Sequence, residues 1–394
     1  MKWNSIRIKV LIALLVCLGL GTAGILALMR YSFENNSQAL AEQSVTDARK
    51  LFLILEAREI SKMTAVGDTL LINPQVRDAL AAQDRARLLD ATQPLYLSLK
   101  SQGITNWMFH TREPEMSVLL RLHNPELYGD TLNRFIDREV VRTHSLVTGN
   151  ELAKAGFAVR VLRPFRDSHR ALLGYIEFGE ELGHFIHAMK SETGNDYGLL
   201  LSKKYVDRQF WADSSKTWNR RDDWNDNPGF VVADKTTDSD SIIRFDGDLS
   251  SVPDSGEVLE RFQEGNAVFV RGIFPIHDAA GNNVGAMFMV RDISSLYLAM
   301  RRTQIVLVTV IVLALAIGTF MVLTLLRKLV FRRLENIVAV ATRVVGGDYE
   351  TEIQVSADDE IGQFERLFEQ FRRVFVDVLA HVPELQEDHG ELNG

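Results

Sequence analysis

Two stretches of the chain carry no charge at all: Val10 to Met29 (VLIALLVCLGLGTAGILALM) and Ile305 to Leu326 (IVLVTVIVLALAIGTFMVLTLL), 20 and 22 residues long. A helix of that length crosses a hydrocarbon core of about 30 Å, so both predict membrane spans. Between them the pattern changes. Residues 31–66 lack Pro and Gly and set Leu40, Leu51, Leu55, Met63 and Val66 among charges, which predicts one long helix of about 50 Å at 1.5 Å per residue. NPQVRDALAAQDRARLLDATQPLYLSLKSQG (73–103) predicts a second helical stretch. From residue 104 the period drops to two. Asn106, Met108 and His110 alternate with Trp107 and Phe109, then Ser117, Leu119, Arg121 and His123 alternate with Val118, Leu120 and Leu122. That is a hairpin turning at Glu113 to Glu115, with its apolar face expected on the helices.

A second regularity lies further on. FAVRVLRPFRDSHRALLGYIEFG (157–179) and VFVRGIFPIHDAAGNNVGAMFMV (268–290) align without a gap, agreeing at Val159, Arg160, Pro164, Asp167 and Gly174, each repeated 111 residues later. Each copy reads as strand, Pro-x-x-Asp turn and Gly-led strand. Two copies at fixed spacing predict two related α+β modules of about 110 residues, an ordinary domain size. Residues 207–242 are polar and turn-rich, with Trp211, Trp218 and Trp224, and are expected to form a long ordered loop, because three tryptophans are costly to leave in water.

Composition narrows the class. A formal net charge of -8 without a basic stripe excludes a nucleic-acid binder. The single cysteine, Cys17, rules out an internal disulfide. Lys2, Arg7 and Lys9 precede the first span and Arg327, Lys328, Arg332 and Arg333 follow the second, against Arg30, Arg291, Arg301 and Arg302 on the other side. This bias places both termini in the cytoplasm and residues 30–304 outside it. The first span is too long for the apolar region of a cleaved signal peptide.

Six residues are candidates for holding a small ligand: Trp107, His110, Arg121, His123, Arg160 and Glu177. Arg121 and His123 share a strand face, and the planar donor fork of arginine suits an anionic group such as a carboxylate. Arg121 with Glu177 is equally readable as a buried structural pair. Arg160 recurs as Arg271, which points to a role in the hairpin itself, for instance pairing with Asp167 or Asp278. Trp107 is a candidate that core packing would also explain. His184 and His187 stand three apart on a predicted helix, but no third ligand converges with them, so no metal and no cofactor is expected. No nucleotide loop or catalytic constellation is found, so no enzyme activity is expected.

FH at 109–110, RLHNPELYGD at 121–130, VTGNE at 147–151, then Gly156, Arg160, Pro164, Gly174 and YIEFG at 175–179 resemble the double Cache sensor domain of bacterial chemoreceptors and sensor kinases. The resemblance implies an extracytoplasmic pair of PAS-like ligand-binding modules on a long helix. Past the second span, Leu334, Ile337, Ala341 and Val344 step by three and four, as do Ile361, Phe364, Phe368, Phe371, Phe375 and Val378. With GGDY at 346–349 and DDEIG at 358–362, residues 327–379 resemble a HAMP domain, a dimeric four-helix relay, although Arg333 stands where that family usually has proline. GGDYE also shares letters with diguanylate cyclases, but only 45 residues follow Tyr349, too few for that domain.

The expected organisation is a cytoplasmic N-terminus (1–9), a span (10–29), a long helix (30–66), membrane-distal (67–192) and membrane-proximal (193–304) Cache modules, a span (305–326), HAMP (327–379) and a polar tail (380–394). The expected function is a receptor in the bacterial inner membrane with a periplasmic sensor domain. It would act as a homodimer in the lipid bilayer, bind a small molecule and signal through a separate cytoplasmic effector protein. The competing expectations are a sensor kinase or cyclase shorn of its output domain and a membrane-anchored protein-interaction module.

Overall fold

The computed structural model describes residues 6–153, 156–217, 220–238 and 244–387. Lys2, Trp218, residues 239–242 of the tryptophan-dotted stretch and residues 388–394 of the polar tail lie outside them. The chain divides into two units, Met1–Phe33 with Met300–Gly394, and Glu34–Ala299.

The second unit holds two five-stranded antiparallel sheets. The first is formed by β1 (Ile104–His110), β2 (Val118–Arg121), β3 (Val147–Ala153), β4 (Gly156–Arg166) and β5 (Leu172–Glu181), in the order β2-β1-β5-β4-β3. The second is formed by β6 (Asp196–Ser202), β7 (Phe230–Lys235), β8 (Glu257–Glu264), β9 (Ala267–His277) and β10 (Asn283–Asp292), in the order β7-β6-β10-β9-β8. Renumbered from its own first strand, the second order is the first. The registers also coincide: Arg160 opposes Gly179 as Arg271 opposes Val290, and Pro164 opposes Tyr175 as Pro275 opposes Ala286. The duplication read from the sequence is therefore a duplication of fold.

Helix α1 runs from Ile6 to Leu71, through the long helix expected from residue 31. Its Val45, Phe52, Leu55 and Met63 are buried in one large core with Trp107, Phe109 and Phe178 of the first sheet and Phe274 and Met287 of the second. The Phe52 ring meets both modules, its centroid 5.9 Å from that of Phe185 and 6.0 Å from that of Phe274 in tilted contacts. The single helical stretch expected over 73–103 is two helices, α2 (Pro74–Ala81) and α3 (Arg85–Lys100). Asn73 caps the first by accepting from the Gln75 and Val76 amides, Asp84 caps the second through the Arg87 amide, and Gln83 between them takes a left-handed φ of 53°. Helices α4 (Phe135–Thr143) and α5 (Leu182–Thr193) follow β2 and β5.

The loop expected over 207–242 is a correction. It contains helix α6 (Arg208–Thr217), whose start is capped by Asp207 through the Phe210 amide, and strand β7. Trp211 is buried and donates to Asp223 at 2.9 Å, so its polar tip is satisfied inside the core.

The first unit is helical. The apolar part of α1 and of helix α7 (Ser294–Leu326) is long and apolar enough to cross a membrane, and neither stretch is buried. Five residues of π-helical turn, Arg327–Phe331, lead into α8 (Arg332–Val345), and α9 (Glu360–Glu387) follows an extended connector. Arg333 binds Glu365 through two nitrogens at 3.0 and 2.8 Å and Asp359 at 2.8 and 2.7 Å, tying α8 to α9 and the connector.

Candidate functional site

Each sheet has one face on the α1 core and one face turned away from it. In the first module, alternation sends Trp107, Phe109, Ile176 and Phe178 to the core and Asn106, Met108, His110, Tyr175, Glu177 and Arg160 to the outer face. Helix α4 and the segment before it lie over that face, where Ile136 and Val140 pack on Leu162 and Tyr175.

Glu177 is the centre of the outer face and is fully buried. Its Oε1 accepts from Arg134 Nη1 at 2.8 Å and Arg160 Nη1 at 2.7 Å. Its Oε2 bonds Arg134 Nη2 at 2.6 Å and His110 Nε2 at 2.9 Å. An ionised carboxylate offers about four acceptor positions, and all are taken. Burial alone would raise this carboxyl. The charges of Arg134 and Arg160, with the bonds from His110 and Arg134, overcome burial and hold Glu177 well below the usual carboxylate range.

Arg134 is aimed at Glu177 by the start of α4. Asp137, one turn into the helix, accepts from the Arg134 amide at 2.9 Å and from its Nε and Nη2 at 2.9 and 2.8 Å. Glu151 on β3 completes the surround. Its Oε1 accepts from the Ile136 amide at 3.1 Å, while Oε2 lies 3.3 Å from Arg134 Nε without a hydrogen bond. Burial pushes Glu151 up to about 7, against the opposing charge of Arg134.

Of the six residues singled out in the sequence, His110, Arg160 and Glu177 are brought together here. Arg160 pairs with Glu177; Asp167 and Asp278 are instead spent on their turns, each accepting from two backbone amides. Arg121 does not pair with Glu177. It forms a two-pronged bond to Asp130, at 2.7 and 2.8 Å, and a third to the Leu127 carbonyl. His123 stands at the rim, open to solvent on one side; the protein packed on its other side, then Arg121 and Arg160, push its pKa down to about 4. Trp107 faces the opposite way, in the core between Phe109, Phe178 and Tyr96. Leu119, which alternation placed beside Arg121, also joins that core, because the register shifts between Phe109 and His110. His184 and His187 lie 3.9 Å from Glu180 and 3.6 Å from Asp234. Among the described residues, no three His, Cys, Asp or Glu side chains are arranged to hold a metal.

The second module is a built-in comparison. The residue 111 places after Glu177 is Phe288, which packs with Ile273, Ala286, Leu249 and Val252 and meets Phe245 edge-on at 5.5 Å. Arg271, at the place of Arg160, pairs with Glu260 at 2.9 Å. The same fold therefore carries an apolar core on the outer face of one module and a buried cluster of charges on that of the other.

Residues 55–222 match the family described as the double sensory domain of two-component sensor kinases. No curated protein matches the chain significantly. Among solved structures, the chain is similar to the periplasmic domain of Vibrio cholerae LuxQ, at 11% identity and a TM-score of 0.36, over 65% of this chain and 99% of that one. It is similar also to the ligand-binding domain of the Campylobacter jejuni chemoreceptor Tlp3 in complex with L-valine, at 8% identity and 0.39, over 68% and 96%. The Tlp3 sensory domain with isoleucine bound gives 9% and 0.39, over the same shares.

Proposed function

We propose that the protein is a transmembrane receptor whose first sensory module binds a small carboxylate outside the cytoplasm. The observation that carries this reading is the contrast between the modules: burying Arg160, His110 and Glu177 together, with Arg134 largely covered beside them, is costly, and the neighbouring copy of the fold carries Phe288 at the place of Glu177. A ligand carboxylate reaches Arg134 and Arg160 by taking the place of Glu177. The internal ion pair and the occupied site are then two alternative states, which is what a switch requires.

Helices α1 and α7 would cross the bilayer and carry the change to α8 and α9. These two helices we read as a HAMP relay acting in a homodimer and signalling to a separate cytoplasmic effector. In support, Phe364, Phe371 and Phe375 are large, apolar and exposed in the single chain, and the rings from Phe364 to Phe375 follow one another at 6.2 to 6.5 Å. Coupling of about 1–3 kcal/mol between sites is enough to tilt a balanced pair of states.

The test is a thermal-shift screen of the full chain in lipid nanodiscs against small carboxylates, with Arg134→Gln alongside. A carboxylate that raises the melting temperature of the native protein, and not of a cooperatively melting Arg134→Gln variant, supports the assignment. An equal shift in both removes this cluster from the ligand site.

A further inference from the structure

A cavity of about 630 Å³ lies elsewhere in the first module, at the turn end of β4 and β5, where the end of α1, helix α2 and the residues after α4 meet it. It is within the range of about 300–1,000 Å³ typical of small-ligand sites. Its lining is cationic: Arg77 from α2, Arg163 and Arg166 from β4, and His144 just past α4.

These guanidiniums are under-used. Arg163 binds Asp68 at 2.6 Å through one nitrogen, lies against Gly67 of α1, and keeps a buried Nε without an acceptor among the described residues. Arg166 gives one N–H to the Arg170 carbonyl at 3.0 Å. Arg77 comes no nearer than 3.6 Å to Asp78, beyond hydrogen-bond range. Asp167, on the rim, is committed to the hairpin turn through the His169 and Ala171 amides. The lining itself thus holds three arginines and one carboxylate, Asp167; Asp68, Asp78 at 3.6 Å from Arg77 and Glu113 at 3.5 Å from His144 approach these cations from outside it. Ile72 and Leu146, both exposed, give it an apolar flank.

We propose that this cleft is a second binding site, for a small organic anion carrying at least two negative charges. Planar guanidinium forks from two elements would grip the anionic groups, and the flank would cover the carbon skeleton. The site is separate from the Glu177 cluster and does not depend on the role given to that cluster.

Isothermal titration of the full chain in nanodiscs with succinate, citrate and inorganic phosphate tests it. Saturable binding of at least one probe, weakened tenfold or more in Arg77→Gln/Arg166→Gln, is the expected result. If that double variant does not melt cooperatively, Arg77→Gln alone decides on the same criterion. Absence of saturable binding by all three probes, or binding undiminished by the substitutions, overturns the proposal.

Discussion

Glu177 sits where four donors converge and no water is needed to satisfy it. Removing it strands the buried Arg160 guanidinium and leaves Arg134 with Asp137 alone as its hydrogen-bonded carboxylate, and breaking a buried charge network in this way typically costs about 3–5 kcal/mol. We expect Glu177→Ala to lose stability on that scale in urea denaturation and to recover part of it when acetate or formate is added. Addition of chloride at equal ionic strength should not restore it. Recovery by every salt alike would mean that the cluster does not recognise carboxylates. Glu151 gives a pH signature. Its folded pKa of about 7 lies above the ordinary 4.5, so the folded state holds the extra proton between those values. Its contribution is complete below about pH 4.5 and is lost as pH rises through 7, by up to about 3 kcal/mol for a shift of this size. Native protein should therefore lose stability relative to Glu151→Gln across that window. A constant difference would contradict the protonated Glu151. His110, Arg160 and Glu177 were legible in the sequence only as separate candidates: Arg160 reads there with Asp167 or Asp278 and Glu177 with Arg121, because the pairing of β4 with β5 and of β5 with β1 that brings the three together is set by the sheet order. Arg134 was not legible, since it precedes a helix, where alternation says nothing. Its one sequence signal is Asp137 three residues on, at the position of a helix cap.

The hairpins show how much the repeated residues determine. Asp167 and Asp278 close equivalent turns, with their own amides donating to Ala171 and Asn282 carbonyls at 2.9 Å in both copies. A side chain at Gly174 would run into the His110 carbonyl, and one at Gly285 into the Leu200 carbonyl, so the shared glycine answers the same close approach twice. The second turn has an added task that the repeat could not reveal, because only one copy performs it. The Ala279 amide donates to the Asn150 carbonyl at 2.7 Å, and the Asn150 side-chain amide donates to the His277 carbonyl at 3.3 Å and to Glu56 of α1. This clamp joins β3 of the module bearing the charge cluster to the other module. Asn150→Ala should cost about 1 kcal/mol, the usual worth of a side-chain hydrogen bond. It should also speed amide hydrogen exchange at 277–283 while leaving β1 unchanged. Unaltered exchange at those amides would show that the clamp does not hold the modules together.

For the molecule as a whole, the coarse plan was written in hydropathy: two apolar helices enclose a charged, alternating region that folds as twin α+β modules. Period-two and period-3.6 patterns report which face of an element is buried, so sheets, spine and core were readable from them. They do not report which charge meets which. Asp130 captures Arg121 and Arg333 gathers Asp359 and Glu365 through contacts set by the fold. Arg333 shows one residue serving at a helix start where the resemblance led one to expect proline: it ties two helices and a connector by charge rather than by a fixed backbone angle.

A receptor of this plan holds its sensory modules and its α8–α9 connector on opposite sides of the membrane, and sidedness can be measured directly. In a Cys17→Ser background, a membrane-impermeant maleimide applied to cells with a permeabilised outer membrane should label Ser101→Cys, exposed in the first module, and spare Gln354→Cys, exposed in the connector after α8, until the inner membrane is opened. Labelling of Gln354→Cys in sealed cells, or protection of Ser101→Cys, would contradict the account.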